Sequence, residues 1–359
     1  MRVLAVSDEA YLEHAPGNWP EGPHRLEAVW KALEETGVGD LLELRGPAPA
    51  SEEDVGLVHT SRHIERVKEV ARGGGGYLTL DTVVSPKSYD IALLAVGGVL
   101  TAVDAVLGGE AKRAVALVRP PGHHATAGEG MGFCLFNNVA VAAAHAILRR
   151  GLERVLIVDW DLHHGNGTEA VFYDSRQVLF VSCHESPAYP GTGWITDTGE
   201  GEGEGFTVNI PFPAGTGDET YLEAFDSVVA PIARAFRPEL VLVSCGLDAH
   251  FLDPLGRLEL TSRGYGRLSG VVCGLADELC GGKVVFVLEG GYDPVGLGWS
   301  LASVLSVAAG RDPVAEPEGC RREGAEGDGK GGGARGSGAR AGGLVISSVL
   351  KTQRAYWPV

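Results

Sequence analysis

Apolar residues in this chain fall into short unbroken runs separated by longer stretches of helical spacing. The runs lie at 2–6, 114–118, 155–158, 178–182, 240–244 and 283–288. None shows the alternation of a strand with one wet face, so each reads as a strand covered on both sides. Between them, the segments around 89–107, 137–150, 221–236 and 262–280 carry helical patterns. Strand, polar turn and helix in repeated succession predict an α/β fold with a mostly parallel central sheet and helices on both faces.

The polar residues that follow the runs carry the chemistry. RPPGHHA follows 114–118, DWDLHHG follows 155–158, CHES follows 178–182, CGLDAH follows 240–244 and EGGYD follows 283–288. Ligands of open α/β sheets bind beyond the carboxyl ends of the strands. Five clusters distant in sequence are therefore expected to meet in one crevice.

Asp159, Asp161 and His163 sit two apart, so on extended backbone they share a face. Gly165 and Gly167 then allow a sharp turn, and Thr168 can cap a following helix. Asp161 and His163 from one strand end, with Asp248 from another, make a set of two oxygens and one nitrogen. That set leaves a coordination position open, as catalytic metal sites do. Zn²⁺ suits it, and Fe²⁺ or Co²⁺ would also fit. His123 and His124 each need a partner to fix the ring tautomer, and Asp159 and Asn166 are placed to provide one each. Tyr292 follows Gly290 and Gly291, which would let its phenol approach the ion.

Composition bounds the setting. At 359 residues, with 44% apolar and 21% charged, the chain can bury a large core. Its first residues turn acidic too early for a signal peptide, and the apolar region 91–107 is interrupted by Gly97, Gly98 and Asp104, so no membrane span is expected. Six cysteines without a CxxC pair suit reduced thiols in a cytoplasm. A net charge of −17 argues against phosphate-backbone binding and would attract cationic partners. The segment 311–343 is Gly-rich and reads as a flexible linker. Beyond it, 344–359 regains apolar residues that would dock back on a catalytic domain spanning 1–310. The four glycines at 73–76 lack the strand-to-helix context of a phosphate cradle and read as a loop.

Taken together, RPPGHHA, GFCLFNN, DWDLHHGNGT, YPGTG, CGLDAH and LEGGYD resemble the zinc-dependent histone deacetylase superfamily. That group includes bacterial histone-deacetylase-like amidohydrolases and acetylpolyamine amidohydrolases. Matching motifs run from about residue 14 to about residue 305 in the family's order, with PPGHHA and HHGNGT nearer the class II form. The resemblance implies an arginase-like three-layer sandwich with Asp161, His163 and Asp248 as zinc ligands. It makes His123 and His124 the tandem histidines, the second serving as general base and acid, with Asp159 and Asn166 as their partners. Tyr292 takes the place of the carbonyl-polarising tyrosine. Gly132, Phe133, Tyr189 and Leu255 match the walls of a narrow substrate tunnel. A structural potassium ion would use Asp159, Asp161, His163, Ser182 and the backbone of Cys183.

The implied reaction is hydrolysis of an N-acetyl amide to acetate and a free amine. The expected substrate is N6-acetyl-lysine in a protein or peptide, with an acetylated polyamine as the alternative, since no clear insertion narrows the entrance between residues 77 and 119. The oligomeric state stays open. One stretch departs from the family pattern: in HAPGNWPEGPHRL, Trp19 and the longer HAPGNW alter the rim of the site. An arginase-type ureohydrolase on the same fold would need more bridging carboxylates than DWDLHHG supplies. A mere sensor of acylated ligands would have no use for Tyr292 and two histidines.

Overall fold

In the computed structural model, which describes residues 1–320 and 335–359, eight strands form one sheet with every pairing parallel. In chain order the strands are β1 (Val3–Val6), β2 (Leu42–Arg45), β3 (Gly76–Thr79), β4 (Thr82–Val84), β5 (Arg113–Ala116), β6 (Val155–Asp159), β7 (Val178–Glu185), β8 (Thr207–Phe212), β9 (Leu240–Cys245) and β10 (Val284–Leu288). β3 and β4 form a separate antiparallel hairpin; the sheet order is β2-β1-β5-β10-β9-β6-β7-β8. All six apolar runs in the sequence are strands of this sheet, and the five that precede the polar clusters are its neighbouring members.

Helices cover both faces, which is why β5, β6, β7, β9 and β10 are buried along their whole length. The longest apolar helix, Ser88–Leu107, has the length and composition to cross a membrane, but it is largely buried and packs on β1, β5 and β10. It is a core helix. In register, Asp159 at the end of β6 stands beside Ser182 of β7 and Ser244 of β9. The carboxyl ends of the central strands are therefore level, and the polar segments leave the sheet side by side.

The carboxyl-terminal region differs from the sequence reading. Of the stretch 311–343, residues 321–334 lie outside the described residues, but 335–343 open a helix, Arg335–Gln353. This helix lies against edge strand β8 and helix Asp218–Ala224. Its glycines permit close approach rather than looseness: a Cβ on Gly338 would stand 2.5 Å from the Gly215 carbonyl oxygen. Beyond the helix, the Trp357 indole N–H donates to the Gly205 carbonyl at 2.7 Å, and its ring meets Phe206 edge-on at 5.3 Å. The glycines at 73–76 close helix Ser61–Arg72 and lead into β3.

Candidate active site

β6 ends in Asp159, and the chain then turns so that Asp161 and His163 meet Asp248 from the segment after β9. Backbone amides set the carboxylates: the Gly290 N–H donates to Asp161 Oδ2 at 2.8 Å, and the Leu162 N–H to Asp248 Oδ1 at 2.8 Å. His163 Nδ1 lies 3.0 Å from Asp248 Oδ2 and 3.3 Å from Asp161 Oδ1. One ligating atom from each of the three residues falls within 4.8 Å of the others. Burial raises the Asp248 carboxyl, aided by the negative charge of Asp161. Two buried carboxylates and an imidazole this close fit a divalent cation, which would neutralise them. Space is reserved for them as well, since a Cβ on Gly290 would lie 2.4 Å from Asp248 Oδ2 and 2.6 Å from Asp161 Oδ2.

The tandem histidines come from the loop after β5, which contains a cis Arg119–Pro120 bond. Their ring centroids are 4.0 Å apart. His123 Nδ1 meets Asp159 Oδ2 at 3.0 Å, and His124 Nδ1 meets Asn166 Oδ1 at 2.8 Å. These are the partners expected from the spacing. Their surroundings push the two rings in opposite directions. Burial opposes protonation of both, but Asp161 and Asp159 hold His123 well above the ordinary histidine value. Burial, the charge of His123 and that of His163 hold His124 well below it. The two imidazoles thus stand side by side next to the metal cluster, with protonation favoured at one and opposed at the other.

Aromatic rings pack around the histidines and Tyr292. Tyr189 packs edge-on against His124 at 5.1 Å and lies 6.1 Å from His163. Phe133 meets Tyr292 edge-on at 5.8 Å and Trp19 at 5.9 Å. Gly132 and Phe133 both adopt positive φ, at 55° and 67°. Such a backbone is costly for a phenylalanine. It is held by Asp81 Oδ1, which accepts the Gly132 N–H at 3.1 Å, and by Thr82 Oγ1, which accepts the Phe133 N–H at 3.1 Å. Tyr292 is fixed through its backbone N–H to Asp253 Oδ2 at 2.7 Å, and the Arg25 guanidinium lies 5.0 Å from its ring centre. Burial keeps its phenol protonated. Leu255 stands apart on an outer loop, 39% exposed, and is linked to the others through Asp253 Oδ1, which accepts its N–H at 3.0 Å. Ser182 and Cys183 are buried on β7 beside Asp159; the Ser182 hydroxyl meets His184 Nδ1 at 3.0 Å.

Several contributors were not singled out in the sequence. Asp81 and Asp253 act on backbone amides of distant loops, so no local motif marks them, and Glu289, though it opens the EGGYD cluster, acts on a loop that only the fold brings to it. Trp19 is the exception, since its departure from the family pattern marked the rim, and the structure sets it against Phe133.

Comparison with known proteins shows the family. The histone deacetylase domain family matches residues 19–308. A probable deacetylase of Archaeoglobus fulgidus is 42% identical over 319 residues, covering 87% of this chain and 88% of its own. A histone deacetylase-like amidohydrolase of Pseudomonas aeruginosa is 41% identical over 314 residues, covering 87% and 81%. The crystal structure of the HDA15 HD domain superposes with a TM-score of 0.87 at 36% identity, covering 99% of this chain and 96% of that one. The chain thus belongs to the histone deacetylase family and is a deacetylase, a hydrolase of acetyl amides.

Proposed function

We propose that the protein is a zinc-dependent lysine deacetylase acting on N6-acetyl-lysine in proteins or peptides. The observation that carries this reading is the pair of adjacent imidazoles, one anchored on Asp159 and the other on Asn166, beside a three-ligand cluster. Asp161, His163 and Asp248 would hold Zn²⁺, which supplies Lewis acidity to an acyl carbonyl and acidifies water. Neutral His124 accepts the proton of the attacking water, its ring oriented by Asn166. His123, anchored on Asp159 and held towards its protonated form, would stabilise the negative charge that develops on the oxygens of the tetrahedral intermediate. The Tyr292 hydroxyl donates to the carbonyl oxygen as it becomes an oxyanion. His124 then returns its proton to the departing amine, giving acetate and a free lysine side chain.

Phe133 and Tyr189, with Gly132 leaving the rings of His124 and Tyr189 the room that a Cβ would take, suit the aliphatic stem of acetyl-lysine, and Leu255 with Trp19 would form the rim. A structural K⁺ would sit among Asp159, Asp161, His163, Ser182 and the Cys183 backbone, where β6 and β7 run in register. We take 1–310 as the catalytic domain with 344–359 docked on it, in a cytoplasmic protein whose cysteines are all free and which has no direct nucleic-acid role.

The acidic chain would attract a basic peptide or a polyamine alike, so substrate choice is tested by kinetics. The zinc-loaded enzyme is expected to show a higher kcat/KM for an acetyl-lysine peptide than for acetylspermidine or acetylputrescine. A hundredfold preference for a polyamine, about 2.7 kcal/mol of discrimination, would overturn the lysine assignment and leave the metal chemistry standing.

A further inference from the structure

Glu289 follows β10, is wholly buried, and has no task in the reaction described above. One carboxyl oxygen, Oε2, accepts the backbone N–H of Gly122 at 2.6 Å and of His123 at 3.2 Å. The other, Oε1, has no hydrogen-bond partner among the described residues. Burying a half-satisfied carboxyl costs stability, and an apolar side chain would fill the space without that cost. The residue is better explained by what it holds than by packing.

Its neighbours show what is at stake. The Gly290 N–H fixes Asp161, the Gly290 carbonyl accepts the Leu247 N–H at 3.0 Å just before Asp248, and Tyr292 follows two residues later. Arg25 locks this segment from behind by donating to the carbonyls of Glu289 and Gly291. Four consecutive residues thus touch the tandem-histidine loop, a metal-cluster carboxylate, the Asp248 segment and the Phe133 ring.

We infer that Glu289 is a positioning residue for the deacetylase reaction: through the amides of Gly122 and His123 it sets the height of the tandem histidines relative to Asp161 and Tyr292. The inference rests on the deacetylase reading given above. The loop has other anchors. His123 O accepts the N–H groups of Gly167 and Thr168 at 3.1 and 3.2 Å, and the Asn138 amide donates to Pro120 O at 3.0 Å. Loss of Glu289 should therefore shift the loop rather than unfold it.

Glu289→Gln keeps an oxygen for both amides; Glu289→Leu removes the acceptor at similar volume. The expected result is a fall in kcat of about 10–100-fold for Glu289→Leu, the scale of an ångström's misplacement, with KM and zinc content unchanged. Glu289→Gln should stay within about threefold of the unaltered enzyme, as a retained neutral acceptor implies. Hydrogen exchange read by mass spectrometry on the 118–126 segment should rise in Glu289→Leu and not in Glu289→Gln. Unchanged kcat and exchange in Glu289→Leu would overturn the inference, and so would equal damage in both variants, which would assign the role to charge. The exchange readout does not depend on turnover, so an inactive starting protein would count against the deacetylase reading alone.

Discussion

His123 and His124 are chemically identical and 4.0 Å apart, yet their surroundings push their protonation in opposite directions. One faces the carboxylate of Asp159 and the other the amide oxygen of Asn166. Both partners were legible because alternation along a strand end and a tight turn fix where the side chains point. Asp253 was not legible: it serves the Tyr292 amide from 39 residues away, and only the fold brings them together. Tyr292 itself presents a protonated phenol between Phe133 and Arg25. If that phenol acts on the developing oxyanion, Tyr292→Phe should lower kcat by about 10²–10³ while zinc stays bound. Phenylalanine preserves the ring contacts, so a near-normal rate would reduce the tyrosine to packing.

Strands buried on both faces announce themselves as continuous apolar runs, and all the central ones were legible for that reason. The edges were harder to read. β2 is LELR, with two exposed residues on an open edge, and β8 carries Asn209 and Pro211 within its run. Only the start of the terminal helix, 335–343, departs from the sequence reading, because glycine signals looseness in an isolated sequence but close contact in a packed one. These two meanings can be separated by experiment at neighbouring positions. A methyl group on Gly338 would press on the Gly215 backbone, whereas Gly343 has nothing within 4 Å of its built Cβ. Gly338→Ala should lower stability by about 1–3 kcal/mol, as overpacking does. Gly343→Ala should raise it by up to about 1 kcal/mol through helix propensity. Thermal unfolding of both variants checks this, and equal shifts would mean the helix does not dock as described.

The whole molecule carries a net charge of −17, but its response to acid is decided inside. His59 is buried beside His63, its ring 5.4 Å from Phe136, and its Nε2 accepts the Asn137 N–H at 2.8 Å. Asn137 in turn caps helix Asn138–Leu148 and reaches the Ala125 carbonyl, so His59 supports the loop that bears the tandem histidines. Burial and the neighbouring His63 depress His59 to about 3. A protonated Nε2 could no longer accept from Asn137. The unfolded chain binds this proton below about pH 6.5, and the folded chain refuses it until near pH 3. The stability held by neutral His59 is therefore complete above the unfolded value and is lost as pH falls through that window. Glu289 and Asp253, both raised to about 7, act in the opposite sense, their contribution being present at low pH and lost as pH rises. His59→Gln isolates the first effect, because glutamine offers Asn137 an oxygen without titrating and leaves the carboxyls in place. Between pH 7 and pH 5 the unaltered protein should lose about 2 kcal/mol relative to this variant, the slope approaching about 1.4 kcal/mol per pH unit below the unfolded value. Urea unfolding of both at pH 7, 6 and 5 measures the difference. Parallel pH dependences would show that His59 takes up its proton as readily in the folded chain as in the unfolded one.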